Sequence, residues 1–179
     1  ASEVNGTMAA IIGLSSDKII EVLKTVDGVV EAVNFNEPNQ TVIAGEVNAI
    51  EVACQSLKEA GAKRALVLPV SGPFHSSLMK PAGEELQETF SKLSFNESSI
   101  KVVANTTVEI LSTPEEIKEE LFKQTFGPVR WVETVTKLKE NGVTEYYEIG
   151  PGKVLKGLVK KIDKEIEVKN IENLQDLGL

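Results

Sequence analysis

Along the first part of the chain, apolar positions alternate with polar ones over some stretches and recur at helical spacing over others. The order is strand, helix, strand, strand, helix, strand, carried by "TMAAIIGL", "SDKIIEVLKTV", "VVEAVNFN", "QTVIAGE", "AIEVACQSLKEAG" and "RALVLPV". Glu37, Pro38 and Asn39 supply the turn between the middle strands. Asn48 with Glu51 reads as N-cap and capping box for the second helix, and Gly61 as its stop. This βαββαβ order predicts a ferredoxin-like subdomain over residues 7–70.

From residue 71 to 179 helical and strand patterns alternate. "SSLMKPAGEELQETFSKL" reads as a helix despite Pro81, and "KVVANTTVE" as a strand. Thr113, Pro114 and Glu116 provide cap, first-turn proline and capping-box acid for "PEEIKEELFKQTF", which Gly127 and Pro128 stop. "VRWVETVTKLKENG" is a helix, "TEYYEIG" a strand and "KVLKGLVKKIDKE" a final helix. Apolar runs such as "YYEIG" predict parallel strands buried on both faces, in a sheet of only two or three strands. The fold class is therefore α/β: a ferredoxin-like unit followed by part of a parallel-sheet domain. No repeat and no low-complexity linker interrupts the chain.

Composition narrows the chemistry. The 179 residues, 41% hydrophobic and 26% charged, are a globular balance with room for one large domain or two small ones. No run of eighteen apolar residues predicts a membrane span and no signal-peptide pattern opens the chain, so a cytoplasmic location is expected. Ala1 in place of Met fits removal of an initiator Met, an internal fragment or a trimmed chain. Cys54, the single cysteine, rules out an internal disulfide; with only one histidine present no Cys/His metal cluster is expected, and the helical spacing places Cys54 on an apolar face as a small core residue. A net charge of −8 argues against broad nucleic-acid binding, so an anionic partner needs a local basic patch.

The one histidine, His75, lies in "VSGPFHSSLMKPAGEEL", a small and polar cluster after a strand and before a helix. Layered α/β enzymes carry catalytic groups at such places, and a neutral imidazole can take and return a proton. On residues alone the histidine is as well explained by a structural hydrogen bond. No Gly-x-Ser-x-Gly elbow is present. Ser76 and Ser77 are better explained as openers of the following helix, and the carboxylates fall on amphipathic helices as solvated faces.

Five blocks, "NGTMAAIIGL", "NFNEPNQTVIAG", "GAKRALVLPVSGPFHSSLMKPA", "QTFGPVRW" and "YYEIGPGKVLKGLVKKI", in this order and spacing, resemble the malonyl-CoA:acyl carrier protein transacylases of bacterial type II fatty acid synthesis. The resemblance runs nearly end to end and covers the larger C-terminal part of that family, whose second domain is α/β-hydrolase-like. The family's Gly-Gln-Gly-x-Gln loop, Gly-His-Ser-x-Gly nucleophile and substrate arginine have no counterpart in these residues.

What the resemblance implies is acyl transfer without metal or cofactor, with malonyl-CoA and acyl carrier protein as partners. A serine outside this chain attacks the thioester, and His75 serves as general acid–base group in both half-reactions. Gln124 of "QTFGPVRW" orients the imidazole through a neutral carbonyl, fixing the tautomer without the charge a carboxylate would add. Asn34 and Asn36, expected to point one way along their strand with Phe35 pointing the other, belong by resemblance to the wall of the CoA cleft, and polar edge-strand residues are the ordinary reading of such a pair. The resemblance also implies that Phe74 crowds out α-branched acyl groups and that Met8 lines the acyl pocket, a buried strand residue being an equally good reading of Met8. Val129 and Trp131 read as core.

"EIGPGKVL" suggests a phosphate loop but lacks the spacing, and a tight strand-to-helix turn explains its glycines. Beyond it Lys153, Lys156, Lys160 and Lys164 fall on one helical stripe opposite Val154, Leu155, Leu158, Val159 and Ile162. A solvated helix face is the ordinary reading of such a stripe, and docking of an acidic carrier protein is the functional one. Three other readings remain open from the sequence: a small-ligand-binding ferredoxin-like module with His75 structural, an inert fragment, and one chain of a split acyltransferase.

Overall fold

The computed structural model describes residues 5–178, so Ala1 lies outside the described residues. Strand β1 (Gly6–Ile12), helix α1 (Ser16–Leu23), β2 (Val30–Glu37), β3 (Gln40–Glu46), α2 (Val47–Glu59) and β4 (Arg64–Val67) form the expected βαββαβ unit. The strands pair antiparallel in the order β2-β3-β1-β4, the ferredoxin-like arrangement. Alternation sorts the side chains onto two faces. Ala9, Ile11 and Ile43 meet Ile19, Leu23, Ile50, Ala53 and Leu57 from α1 and α2, while Met8, Ala10, Val33, Val42 and Ala44 form a second cluster. Ile11, Ile19, Ile43, Ile50 and Leu57 are fully buried, each such side chain contributing about 1.5–3 kcal/mol. Cys54 is part of that first core, and burial pushes its thiol upward.

Two local expectations change. Helix α2 starts at Val47 with Glu46 at its N-cap, not at Asn48, and the predicted Asn48–Glu51 box does not form. Strand β3 runs straight into the helix, and the Glu46 carboxylate instead accepts the Val29 N–H at 3.0 Å. A Cβ on Gly45 would lie 2.0 Å from the Val29 carbonyl oxygen, so only glycine lets the chain pass so close. Gly61, at φ 106°, ends α2 as expected.

Past β4 a 3-10 turn (Ser77–Met79) leads into α3 (Lys80–Ser91), and Pro81 sits in the first turn, where its missing N–H costs nothing. The strand expected over 101–109 is shorter: β5 (Val102–Val103) pairs with β6 (Ile110–Leu111) in a small hairpin. Ala104 and Glu109 close its turn, which holds Val108 at φ 62°. Helix α4 (Pro114–Gln124) carries the predicted capping box between Thr113 and Glu116. Next come α5 (Trp131–Glu140), β7 (Tyr146–Ile149), α6 (Val154–Ile162) and β8 (Val168–Ile171), a strand not anticipated, which pairs parallel with β7. Val135, Val159 and Val168 form the core here with Trp131, Tyr146, Ile162 and Ile166. The parallel pair is buried on one face only: Tyr147 is 47% and Ile149 78% exposed, and the Lys169 ammonium stands over the Tyr147 ring. Among the described residues no helix is long and apolar enough to cross a membrane.

The glycine turn of "EIGPGKVL" is a turn and not a phosphate cradle, because the N-terminus of α6 already holds an internal anion. Glu148 accepts the N–H groups of Leu155 and Lys156 at 2.9 and 2.8 Å and the Asn170 side-chain amide at 3.2 Å. Burial pushes the Glu148 carboxyl up, but these donors together with the Val154 N–H outweigh it and hold it below the usual glutamate range. A depressed folded-state pKa stabilises the fold above the unfolded value of about 4.3 and loses that contribution as pH falls through the lower folded value. Glu148→Gln is therefore expected to remove part of the acid-side loss of stability below about pH 4.3, read from urea midpoints between pH 3 and 7; parallel profiles for parent and variant would contradict it.

Candidate active site

After β4 the chain passes through Pro69 to Pro73, Phe74 and His75. His75 adopts φ 66°, in the left-handed region, at a cost of roughly 1–2 kcal/mol for a residue with a Cβ. Neighbouring bonds keep it there. The Ser76 hydroxyl, fully buried, donates to the Pro73 carbonyl at 2.6 Å. The Ser77 N–H and hydroxyl donate to the two carboxylate oxygens of Glu31 on β2 at 2.8 and 2.6 Å. Ser76 therefore makes no helix cap, and the first turn is capped by an acid from a distant strand.

The imidazole is held from the other side by α4. Last-turn carbonyls of a helix lack an intrahelical partner, and that of Gln124 lies 3.0 Å from His75 Nδ1. A carbonyl only accepts, so this contact, shorter than that to the Gln124 amide nitrogen at 3.3 Å, calls for the proton on Nδ1, and a neutral ring bonded this way keeps its lone pair on Nε2. The neutral carbonyl foreseen at Gln124 is thus its main chain. Its side-chain amide sits 3.3 Å from the same Nδ1 and donates to the Gly127 carbonyl at 3.4 Å.

The rest of "QTFGPVRW" is structural. Val129 exchanges backbone bonds with β2, donating to the Val33 carbonyl at 2.7 Å and accepting the Phe35 N–H at 2.9 Å. Arg130 pairs with Glu133 and reaches the Thr106 carbonyl. Its guanidinium pKa is raised, chiefly by the hydrogen bond to Glu133. Trp131 packs on the α5, α6 and β8 core.

Asn34 and Asn36 are half-buried on β2, but the simple alternation expected of them fails. Asn34 pairs with Val42 and Phe35 with Thr41, whereas irregularities between Ala32 and Asn34 and between Phe35 and Glu37 leave Asn36 unpaired in the ladder. Phe74 packs with Leu68 against the cluster that contains Met8, so these two predicted pocket residues share one wall. Met8 is buried in that wall.

The lysine stripe is shorter than predicted. Only Lys156 and Lys160 lie within α6; Lys153 is its N-cap residue, 4.0 Å from Glu172, and Lys164 follows the helix end. Val154 and Leu155 are exposed at the first turn, so the apolar side is filled only by Leu158, Val159 and Ile162. Lys160 and Lys164 nonetheless border an open cavity of about 560 Å³ with Asn39, Gly157, Lys161 and Glu37. Lys161, which the sequence reading passed over, reaches the buried Glu37 carboxylate at 3.3 Å and ties α6 to β2. The long-range partners of Glu31 and of the turn residue Glu37 were missed as well, because an acid in a strand carries no local mark of a partner elsewhere in the chain.

Nearly the whole chain is similar to known proteins. The malonyl CoA-acyl carrier protein transacylase of Bacillus subtilis is 40% identical over 177 residues, covering 97% of this chain and 56% of that protein. The Haemophilus influenzae protein of the same name is 45% identical over 174 residues, covering 96% and 56%. Among solved structures, an acyl-carrier-protein S-malonyltransferase from Burkholderia pseudomallei superposes with a TM-score of 0.94 at 49% identity, over 97% of this chain and 57% of that one. A malonyl-transacylase solved in complex with its type II PKS acyl-carrier protein gives 0.94 at 43% identity, with the same coverage. The chain thus spans little more than half the length of the relatives it matches. It matches the acyl transferase domain over residues 1–178, and on that match, with a fold shared at 40% identity and above, the chain belongs to the acyl transferase domain family.

Proposed function

We propose that this chain supplies the general acid–base half of a malonyl-CoA:acyl carrier protein transacylase, acting in the cytoplasm. The observation that carries the proposal is the His75 ring itself: Nδ1–H is committed to the Gln124 carbonyl, which leaves Nε2 as the nitrogen able to move a proton. In the first half-reaction Nε2 takes the proton of a serine from a Gly-His-Ser-x-Gly segment, and the alkoxide attacks the malonyl thioester carbon. Collapse of the tetrahedral intermediate breaks the C–S bond, and the imidazolium returns the proton to the departing CoA thiolate. In the second half-reaction the same nitrogen takes the proton of the carrier's pantetheine thiol and gives it back to the serine. The acyl group passes between two nucleophiles, so this chemistry calls for neither metal nor cofactor.

Around that centre Asn34 and Asn36, half-buried on β2, supply hydrogen-bonding groups to the cleft wall beside the pantetheine arm. Phe74 and Met8, packed in one cluster, shape the acyl site in favour of an unbranched malonyl group. Lys153, Lys156, Lys160 and Lys164 dock the acidic carrier protein, supported by the local concentration of positive charge on a chain whose net charge is −8.

In the protein that joins this chain to its nucleophile segment, His75→Ala is expected to lower malonyl transfer by roughly two or more powers of ten. Gln124→Ala should cost far less, because the main-chain carbonyl remains. Near-parental turnover of His75→Ala, or equal losses in both variants, would overturn the assignment. Replacing Lys156 and Lys160 by Glu is expected to slow only the carrier-dependent half-reaction and to flatten its salt dependence, most visibly in dilute buffer, where the Debye length exceeds about 10 Å. Unchanged carrier kinetics at low salt would put docking elsewhere.

A further inference from the structure

Strand β2 is bonded close in sequence to each partner of the His75–Gln124 bond, by two separate devices. Its backbone pairs with Val129, five residues beyond Gln124. Three residues before Asn34, its Glu31 carboxylate takes both donors of Ser77, one oxygen accepting the N–H at 2.8 Å and the other the hydroxyl at 2.6 Å, across 46 residues of sequence. Ser77 is two residues past His75, and the turn it opens has no side-chain cap of its own. We infer that Glu31 is a positioning residue for His75, holding the histidine loop so that Nδ1–H meets the Gln124 carbonyl and Nε2 stays unprotonated. The catalytic consequence rests on the proposed role of His75; the positioning itself does not.

The histidine loop combines a strained backbone with a two-point clamp. His75 occupies the left-handed region, which a residue with a Cβ leaves when its surroundings permit. A charged, two-oxygen acceptor makes shorter and stronger hydrogen bonds than a neutral one and fixes orientation as well as distance. At the amino end of a helical stretch it also meets the positive end of the peptide dipoles. Released from Glu31, Ser77 no longer dictates the preceding backbone, His75 relaxes, and the ring loses its register with Gln124. A neutral imidazole without that partner reverts to a mixture rich in the Nε2–H form, which cannot accept a proton at Nε2.

Because His75 is the only histidine, its ring nitrogens give a single set of signals in a long-range ¹H–¹⁵N spectrum of this chain, recorded above about pH 8, where a free imidazole is neutral. In the parent, Nε2 is expected at the shift of an unprotonated nitrogen and Nδ1 at that of a protonated one. Glu31→Ala should move both toward the opposite tautomer, and Glu31→Gln, which keeps a single acceptor oxygen, part of the way. Ser77→Ala, which keeps the N–H bond to Glu31, should shift them least. Signals of core residues such as Ile11 and Ile43 report whether the fold is retained; should Glu31→Ala fail to fold, Glu31→Gln carries the test. Parental tautomer shifts in folded Glu31→Ala, or in Glu31→Gln where the former does not fold, would overturn the inference and leave Glu31 as a structural tether. In the longer protein with its nucleophile, Glu31→Gln should lower kcat about ten- to a hundred-fold with KM little changed. A shifted tautomer with undiminished kcat would instead count against His75 as the base while leaving the positioning role intact.

Discussion

The bond between the His75 ring and the Gln124 main-chain carbonyl joins residues 49 positions apart, and the chemistry proposed for the chain depends on which ring nitrogen it leaves free. Neither partner is held by its own neighbours alone. Gln124 presents its carbonyl because α4 ends there, between a capping box at one end and Gly127–Pro128 at the other. His75 presents Nδ1 because its backbone stays in a strained conformation secured by Ser76, Ser77 and Glu31. A main-chain acceptor suits this task, since it adds no net charge beside the ring and cannot rotate away as a side chain can.

Strand β2 is the common support. It is an edge strand of the ferredoxin-like sheet, yet its outer backbone is partly used by Val129, and its acids Glu31 and Glu37 reach the histidine loop and α6. The strand that bears Asn34 and Asn36 thus sets the relative placement of three pieces: the histidine loop, the end of α4 and the lysine-bearing helix. The ferredoxin-like sheet serves here as a frame with one apolar face sealed by α1 and α2 and the other lined by Met8 and Phe74.

What the sequence made legible was local in kind. The apolar runs "TMAAIIGL" and "QTVIAGE", the Thr113–Glu116 box, Gly61 and the setting of His75 after a strand are patterns within a few residues, and they hold. Where a nearby pattern competed with a tertiary one, the tertiary one won. The Asn48 cap yielded to a strand that continues into α2, and the Asn34–Asn36 alternation to an irregular ladder. Strand β8 escaped notice because four residues of mixed polarity carry almost no period, and the pairings of Glu31 with Ser77 and Glu148 with α6 because charged side chains do not advertise distant donors. The family resemblance supplied the roles proposed for His75 and Gln124. That the Gln124 main-chain carbonyl is the atom beside the ring emerged only from the fold.

The most direct measurement of the central claim is rapid-quench kinetics of the two half-reactions taken separately, in the protein that combines this chain with its nucleophile segment, comparing the parent with His75→Ala. If one nitrogen serves both proton transfers, acyl-enzyme formation from malonyl-CoA and its discharge to the carrier should each slow by about a hundred-fold or more. A variant that slows in only one half-reaction, or in neither, would contradict the account.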